Sequence, residues 1–166
     1  MSITFTIPGP PVGKARPRVA NGHAYTPAST RTYEEAVRAR WRAARHAPFG
    51  PDVPLYALIA AYHAIPASAS RRARETMARN AVLPMKKPDA DNIAKIILDA
   101  LNGMAYADDK QVVRLEVIKR YTPGEPYVQV TLSEEAHENP HPDPLRPPSP
   151  GGGRAGSAGP HTGGEP

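Results

Sequence analysis

Cysteine is absent from the 166 residues. Its absence excludes a disulfide framework, a thiolate nucleophile and any Cys-ligated zinc or iron–sulfur centre. Long apolar runs are missing as well: no stretch approaches the roughly 18 apolar residues that a membrane-spanning helix needs. The opening Met1-Ser2-Ile3-Thr4-Phe5 has neither the basic flank nor the apolar segment of a secretory signal. The expectation is a cytoplasmic protein. Apolar residues are also nearly missing from one end. Residues 135–166 contain no Ile, Val, Phe, Tyr, Trp or Met, and one Leu.

What that end does contain is proline and glycine, eight and seven of them respectively. Such a segment cannot bury enough apolar surface to offset the entropy lost on ordering. The sequence therefore divides into a domain at 1–134 and a disordered Pro/Gly-rich tail at 135–166. Four acids and two bases lie in the tail, which leaves 19 Lys and Arg against 12 Asp and Glu in the domain. A net charge of +7 favours a polyanionic partner, nucleic acid first, although an Arg-rich composition alone has the same effect on the count.

Periodicity gives the elements. Ile3, Phe5 and Ile7 alternate with threonines and read as a strand, stopped by Pro8-Gly9-Pro10-Pro11. Asn21-Gly22 marks a turn between Arg18-Val19 and Ala24-Tyr25. Residues 30–46 read as a helix, with Tyr33, Val37 and Trp41 on one face and a capping box from Thr32 and Glu35. Leu55–Ile65 reads as a central strand covered on both sides, and Ser68–Asn80 as a short basic helix starting at Ser68 or Ser70. From Asp91 to Asn102, Ile93, Ile96, Ile97, Ala100 and Leu101 share one helical face, while Asp91, Lys95, Asp99 and Asn102 share another; Gly103 stops the helix. Val113, Leu115 and Val117, then Val128, Val130 and Leu132, alternate as two strands, expected to form a hairpin. The order β-α-β-α-α-β-β predicts an α+β domain: a mainly antiparallel sheet with helices packed against it.

Chemistry concentrates in Lys86-Lys87-Pro88-Asp89-Ala90-Asp91-Asn92, where two carboxylates stand two residues apart at a helix entrance. A second pair, Asp108-Asp109, precedes the next strand. If the loop folds back on the helix, three or four carboxylates converge, and like-charge repulsion then demands protonation or a cation. A hard divalent ion such as Mg²⁺ takes one or two carboxylates, waters and substrate phosphate oxygens. One or two such ions suit phosphodiester hydrolysis. Lys95, one turn beyond Asp91, either stabilises charge on the phosphate or holds the attacking water. A plainer reading stands beside this one. Asp is a favoured helix N-cap, Asp91 and Lys95 form an ordinary surface pair, and Asp108-Asp109 is a turn.

A resemblance separates the two. Lys87-Pro88-Asp89-Ala90-Asp91-Asn92, Lys95, Asp99-Ala100-Leu101-Asn102-Gly103 and Asp108-Asp109-Lys110-Gln111-Val112 together resemble the signature of the RusA-type Holliday-junction resolvases. That pattern is Asp-x-Asp-Asn, a Lys four residues past the second Asp, Asp-Ala-Leu, then Asp-Asp-x-Gln-Val. Lys14-Ala15-Arg16-Pro17-Arg18 resembles a basic segment common near the start of these proteins. The resemblance implies a homodimeric, Mg²⁺-dependent endonuclease (Mn²⁺ as a substitute) that resolves four-way DNA junctions by paired symmetric nicks, in recombination and repair. It implies that Asp89, Asp91 and Asp109 bind the metal and that Lys95 joins them in catalysis, with Asp108 a neighbouring acid of less defined role. One departure is visible: Lys86-Lys87-Pro88 stands where an Arg run precedes the first acid in the best-studied member.

On this reading Lys14, Arg16, Arg18, Lys86 and Lys87 contact the DNA backbone, positioning it without reading bases. Arg38, Arg42 and Arg45 read as a solvated helix face. Trp41 reads as core, and His23, His46 and His63 show no ligand spacing. Two other functions use the same residues: a non-catalytic junction-binding protein, and a nuclease acting on flaps or single strands.

Overall fold

The computed structural model describes residues 1–16, 18–20 and 23–135. The expected tail, apart from Glu135, lies outside the described residues. The alternation at the start forms strand β1, Ser2–Pro8, with Ile3, Phe5 and Ile7 buried. A small hairpin follows, β2 (Arg18–Ala20) paired antiparallel with β3 (His23–Tyr25) in the register the Asn-Gly pair predicts.

Helix α1 spans Ala28–Ala44 and starts two residues earlier than its periodicity suggested. The capping box expected from Thr32 and Glu35 does not form. Pro27 occupies the N-cap without a side-chain bond, and Thr32 already lies inside the helix, its hydroxyl donating to Ala28 O at 3.0 Å. The Pro27 carbonyl accepts from Thr30 N at 3.1 Å and Arg31 N at 3.3 Å, so the helix has begun before Thr32 is reached. Glu35 turns outward instead and pairs with Arg42 at 2.8 Å and Arg38 at 3.6 Å. Trp41 is buried, edge-on to Phe5 with ring centroids 5.9 Å apart.

Strand β4 (Leu55–Ala64) is followed by α2 (Arg71–Ala78), α3 (Ala90–Leu101), a 3-10 turn (Asp109–Gln111), β5 (Val112–Thr122) and β6 (Tyr127–Glu134). Ser70 is the N-cap of α2, its hydroxyl accepting from Ala73 N at 3.3 Å. Gly103 follows α3 with a φ of +70°, a conformation that glycine adopts without steric cost.

The four main strands form one sheet in the order β1-β6-β4-β5. Pairs β1–β6 and β4–β6 are antiparallel and β4–β5 is parallel, so the sheet is mixed. The expected hairpin between the last two strands is therefore corrected. β4 lies between them, and Pro123-Gly124-Glu125-Pro126 carries the chain across its end. The most apolar strand takes the centre, but the expected cover on both sides holds only in part: Leu55, Ala57, Ile59, Ala61 and His63 are buried, while Tyr56, Leu58 and Tyr62 on the opposite face are half-buried. A parallel pair needs a long crossover, and α2 and α3 supply it here. This places α3 and the acidic loop directly before β5.

One face of the sheet is dry. Ile3, Ile7, Ile59, Val128, Val130 and Leu132 pack there against Val37 and Trp41 of α1 and Ile93, Ile96, Ile97 and Leu101 of α3. The other face is polar: Thr4 bonds Thr131 at 2.9 Å, and Tyr62 stacks on Tyr127 at 4.4 Å. Among the described residues no helix is long and apolar enough to cross a membrane.

Candidate active site

Helix α3 turns its isoleucines inward, and its opposite face becomes an exposed stripe carrying Asp91, Lys95 and Asn102, with Asn92 and Asp99 along its flank. Asp89 is the N-cap by backbone: its carbonyl accepts from Ile93 N at 3.0 Å. Its carboxylate makes no cap hydrogen bond. Nor does any ion pair among the described residues engage Asp89, Asp91, Lys95 or Asp109. The plainer reading assigned these groups to capping and to an Asp91–Lys95 pair. The fold uses them for neither and leaves their charges toward solvent.

The segment leading into α3 is held on two sides. Lys119 on β5 donates from Nζ to Lys86 O at 2.5 Å and to Pro88 O at 3.0 Å. On the other side Gly13 approaches so closely that a Cβ there would lie 2.8 Å from the Pro88 Cβ. A shallow groove between Pro11–Lys14 and Lys87–Asn92 runs past Asp89. Lys86 and Lys87 are exposed beside it, the Lys86 ammonium 5.8 Å from the centre of the Tyr121 ring. Arg16 is also exposed. The Arg18 side chain lies outside what the structure describes. Lys14 is different: its ammonium sits between Glu34 at 2.5 Å and Asp99 at 2.9 Å.

The second acidic pair divides its labour. Asp108 caps the 3-10 turn, accepting from Lys110 N at 3.0 Å in a capping box completed by Gln111. That backbone N–H holds the Asp108 carboxyl below the usual carboxylate range, aided by the Lys110 ammonium and by Asp109. Asp109 is exposed and carries no such duty. Gln111 clips the loop down. It is only 6% exposed, its Oε1 accepts from Ala107 N at 2.9 Å and Asp108 N at 3.2 Å, and its Nε2 donates to Gly50 O at 2.7 Å and Val53 O at 3.1 Å. Tyr106, in the same loop, donates to Leu98 O at 2.9 Å. Burial raises the Tyr106 phenol above its ordinary value, and the nearby charges of Asp109 and Asp99 push the same way.

These contacts hold the Asp108-Asp109 loop beside α3, with Tyr106 reaching the Leu98 carbonyl. Asp89 and Asp91 thus stand at the head of α3 with Lys95 one turn further, and Asp109 stands in the 3-10 turn that follows the helix. Among the described residues no group of three or more His, Asp or Glu side chains is gathered closely enough to hold a metal. Asp89 and Asp91 supply hard carboxylate oxygens that no ion pair engages among the described residues, a donor set that suits Mg²⁺, which needs only one or two protein carboxylates.

Gln111 and Lys119 had no assigned role in the sequence. The signal for Gln111 was there: Asp108-x-x-Gln111 is a capping-box pattern. Lys119 could be found as the one cation in the alternating set Val113, Leu115, Val117, Lys119, Tyr121. His63 is a further surprise, 4% exposed on β4 with Nε2 unpartnered among the described residues. Burial drives its imidazole down to about 4, with the charges of Lys86 and Lys119 acting in the same direction.

Comparison with known proteins bears on the same residues. The family model for endodeoxyribonuclease RusA matches residues 8–133 and so includes all of α3 and the acidic loop. A protein of Bacillus subtilis (strain 168), the uncharacterized protein YqaN, is 36% identical over 139 residues, spanning 80% of this chain and 96% of its own length.

Proposed function

The chain belongs to the RusA endodeoxyribonuclease family, and from that premise we propose that it is a Mg²⁺-dependent endonuclease that resolves four-way DNA junctions by paired symmetric nicks. The observation that carries this is the idleness of the acids. Asp89 heads α3 without spending its carboxylate on a cap, and Asp91 and Lys95 follow it on the same exposed stripe. Charges kept out of local pairing are available to a cation and a phosphate.

In this reading Asp89 and Asp91 hold the metal, and Asp109 completes the set. Bound there, Mg²⁺ supplies charge neutralisation at the scissile phosphate and lowers the pKa of a water. Lys95 adds a positive charge beside the phosphate or orients the water. Lys86 and Lys87 hold the strand at the groove, and Arg16 and Arg18 follow it on the arm. Gln111 fixes the loop that carries Asp109. The protein acts as a homodimer, because a four-way junction has two-fold related strands and a symmetric dimer offers two sites. A second copy also offers a way to complete a donor set that the described residues of one chain do not gather into three ligands. Val113, 62% exposed, and Leu115 give β5 an uncovered apolar edge consistent with a partner. Residues 1–134 form the nuclease domain, and the setting is recombination and repair of DNA in the cytoplasm.

One observation favours a second reading, non-catalytic junction binding: the acids of one chain are not gathered into a three-ligand cluster. A substrate panel decides. Four-way junction, flap, single strand and linear duplex of shared sequence are incubated with protein in Mg²⁺ or Mn²⁺ at one salt concentration, since salt alone shifts DNA affinity by orders of magnitude. Cleavage confined to the junction supports resolution. Preferential cutting of the flap replaces the substrate, and tight binding without cutting replaces the activity.

A further inference from the structure

We propose that Lys14 is a positioning residue for the acid-bearing helix, fixing α3 against the N-terminal strap and α1, and is not a contact to DNA. The proposal rests on the nuclease reading of the site and names a part of its machinery that the motif does not reveal.

Lys14 touches α3 twice. Its backbone N–H donates to Asn92 O at 2.8 Å, in the first turn. Its ammonium reaches Asp99, 2.9 Å away and two turns on, a span of about 10 Å along the axis. The same ammonium lies 2.5 Å from Glu34 of α1. Glu34 is only 8% exposed and has one other cation nearby, Arg38 at 3.6 Å. Burial pulls the Lys14 pKa down, but the hydrogen bonds and charges of Glu34 and Asp99 outweigh it and leave the ammonium above the ordinary lysine value. A cation held this way is not free to follow a phosphate. Removing it leaves two carboxylates close together, one of them buried, an arrangement that costs far more than the loss of a surface pair.

Gly13 adds an argument independent of charge. A Cβ at this position would meet the Cβ of Pro88 at 2.8 Å and that of Asn92 at 3.0 Å. The strap therefore lies directly on the two residues that bracket Asp89 and Asp91. Any loosening of Lys14, or any thickening of Gly13, displaces the first turn of α3 and the carboxylates it carries. A displacement of about 1 Å at a reacting group costs up to about 100-fold in rate. Past Lys14 the chain continues through exposed Arg16 into the β2–β3 hairpin, so the same anchor sets where the basic arm leaves the body beside the acids.

The test compares Lys14→Met, Lys14→Arg and Gly13→Ala with wild type. Three readouts are taken: single-turnover junction cleavage in Mg²⁺; junction affinity in EDTA across a salt series; and hydrogen exchange over residues 89–95. The proposal expects Lys14→Met and Gly13→Ala each to slow cleavage by about 30-fold or more, with faster exchange over 89–95 and an unchanged salt slope. Lys14→Arg, which keeps the charge, recovers part of the rate. A phosphate contact gives the opposite pattern: Lys14→Met lowers the salt slope by about 1, and Gly13→Ala, which removes no charge, cleaves normally. That result overturns the proposal. If wild type cuts no branched DNA, the nuclease reading fails separately. Exchange then decides on its own, and unchanged exchange over 89–95 in both variants overturns the positioning role.

Discussion

Gln111→Ala probes the clip beneath the acidic loop. The Gln111 amide makes four hydrogen bonds, to Ala107 N, Asp108 N, Gly50 O and Val53 O, and is buried while making them. A hydrogen bond contributes about 1 kcal/mol net, and a buried group left without a partner costs about 1–3 kcal/mol. Water can reach part of the loop in the variant, so the four losses do not sum in full. The expected destabilisation is about 3 kcal/mol, read by urea unfolding. For a domain of this size that lowers Tm by roughly 10 °C. The loop also positions Asp109, so cleavage at 25 °C, where the variant is still folded, falls by about 10-fold or more. A loss below about 1 kcal/mol would refute the reasoning, because it would mean that the loop is held by something other than this side chain. A full loss of stability with normal cleavage would refute the link from clip to Asp109.

The two acids of the pair should separate. Asp108→Ala loses the cap of the 3-10 turn, lowers Tm and leaves measurable nicking, whereas Asp109→Asn abolishes nicking and leaves Tm within a degree or two. Asp89→Asn is expected to change stability by less than about 0.5 kcal/mol, since no cap bond is lost, and to eliminate cleavage. A large stability change there would return Asp89 to an ordinary cap. His63 sets a pH dependence. Its folded value is near 4 against 6.5 for the free side chain. From about pH 6.5 down to 4 the unfolded chain takes up a proton that the native protein refuses, so stability falls with falling pH, by up to about 3 kcal/mol in total. Above 6.5 the effect vanishes. Chemical denaturation of wild type and His63→Phe at pH 7 and pH 5 measures it, and equal pH responses would count against the burial assigned to His63.

Local signals carried much of this. The α3 face was legible because five apolar residues at helical spacing admit one solution, and the β2–β3 pairing because the backbone requirement of an Asn-Gly pair is narrow. Strand neighbours were not. Alternation shows that Val113–Val117 and Val128–Leu132 are strands but says nothing about what lies between them, and sequence proximity suggested a hairpin. The apolarity of Leu55–Ile65 held the better clue, since such a strand needs neighbours on both edges, and β5 and β6 were the ones available. The pattern Thr32-x-x-Glu35 makes no capping box because α1 has already begun at Ala28, whereas Asp108-x-x-Gln111 does make one. Lys14 read as one of a basic run. Only the fold shows that its charge is met by Glu34, which shares the Val37 and Trp41 side of α1, and by Asp99 on α3. The motif marked Asp89, Asp91, Lys95 and Asp109. That the loop carrying Asp109 is held by Gln111 on Gly50 and by Tyr106 on Leu98 is a tertiary fact that no spacing in the chain encodes.

The most direct test of the account uses a labelled four-way junction with each strand marked in turn. It is incubated with wild type in Mg²⁺, with wild type in EDTA, and with Asp91→Asn in Mg²⁺, beside a linear duplex of the same sequence. The account predicts nicks at symmetric positions on two opposing strands, with wild type and Mg²⁺ only, and an intact duplex. Equal cutting in EDTA, or by Asp91→Asn, would contradict a metal-dependent site at the head of α3.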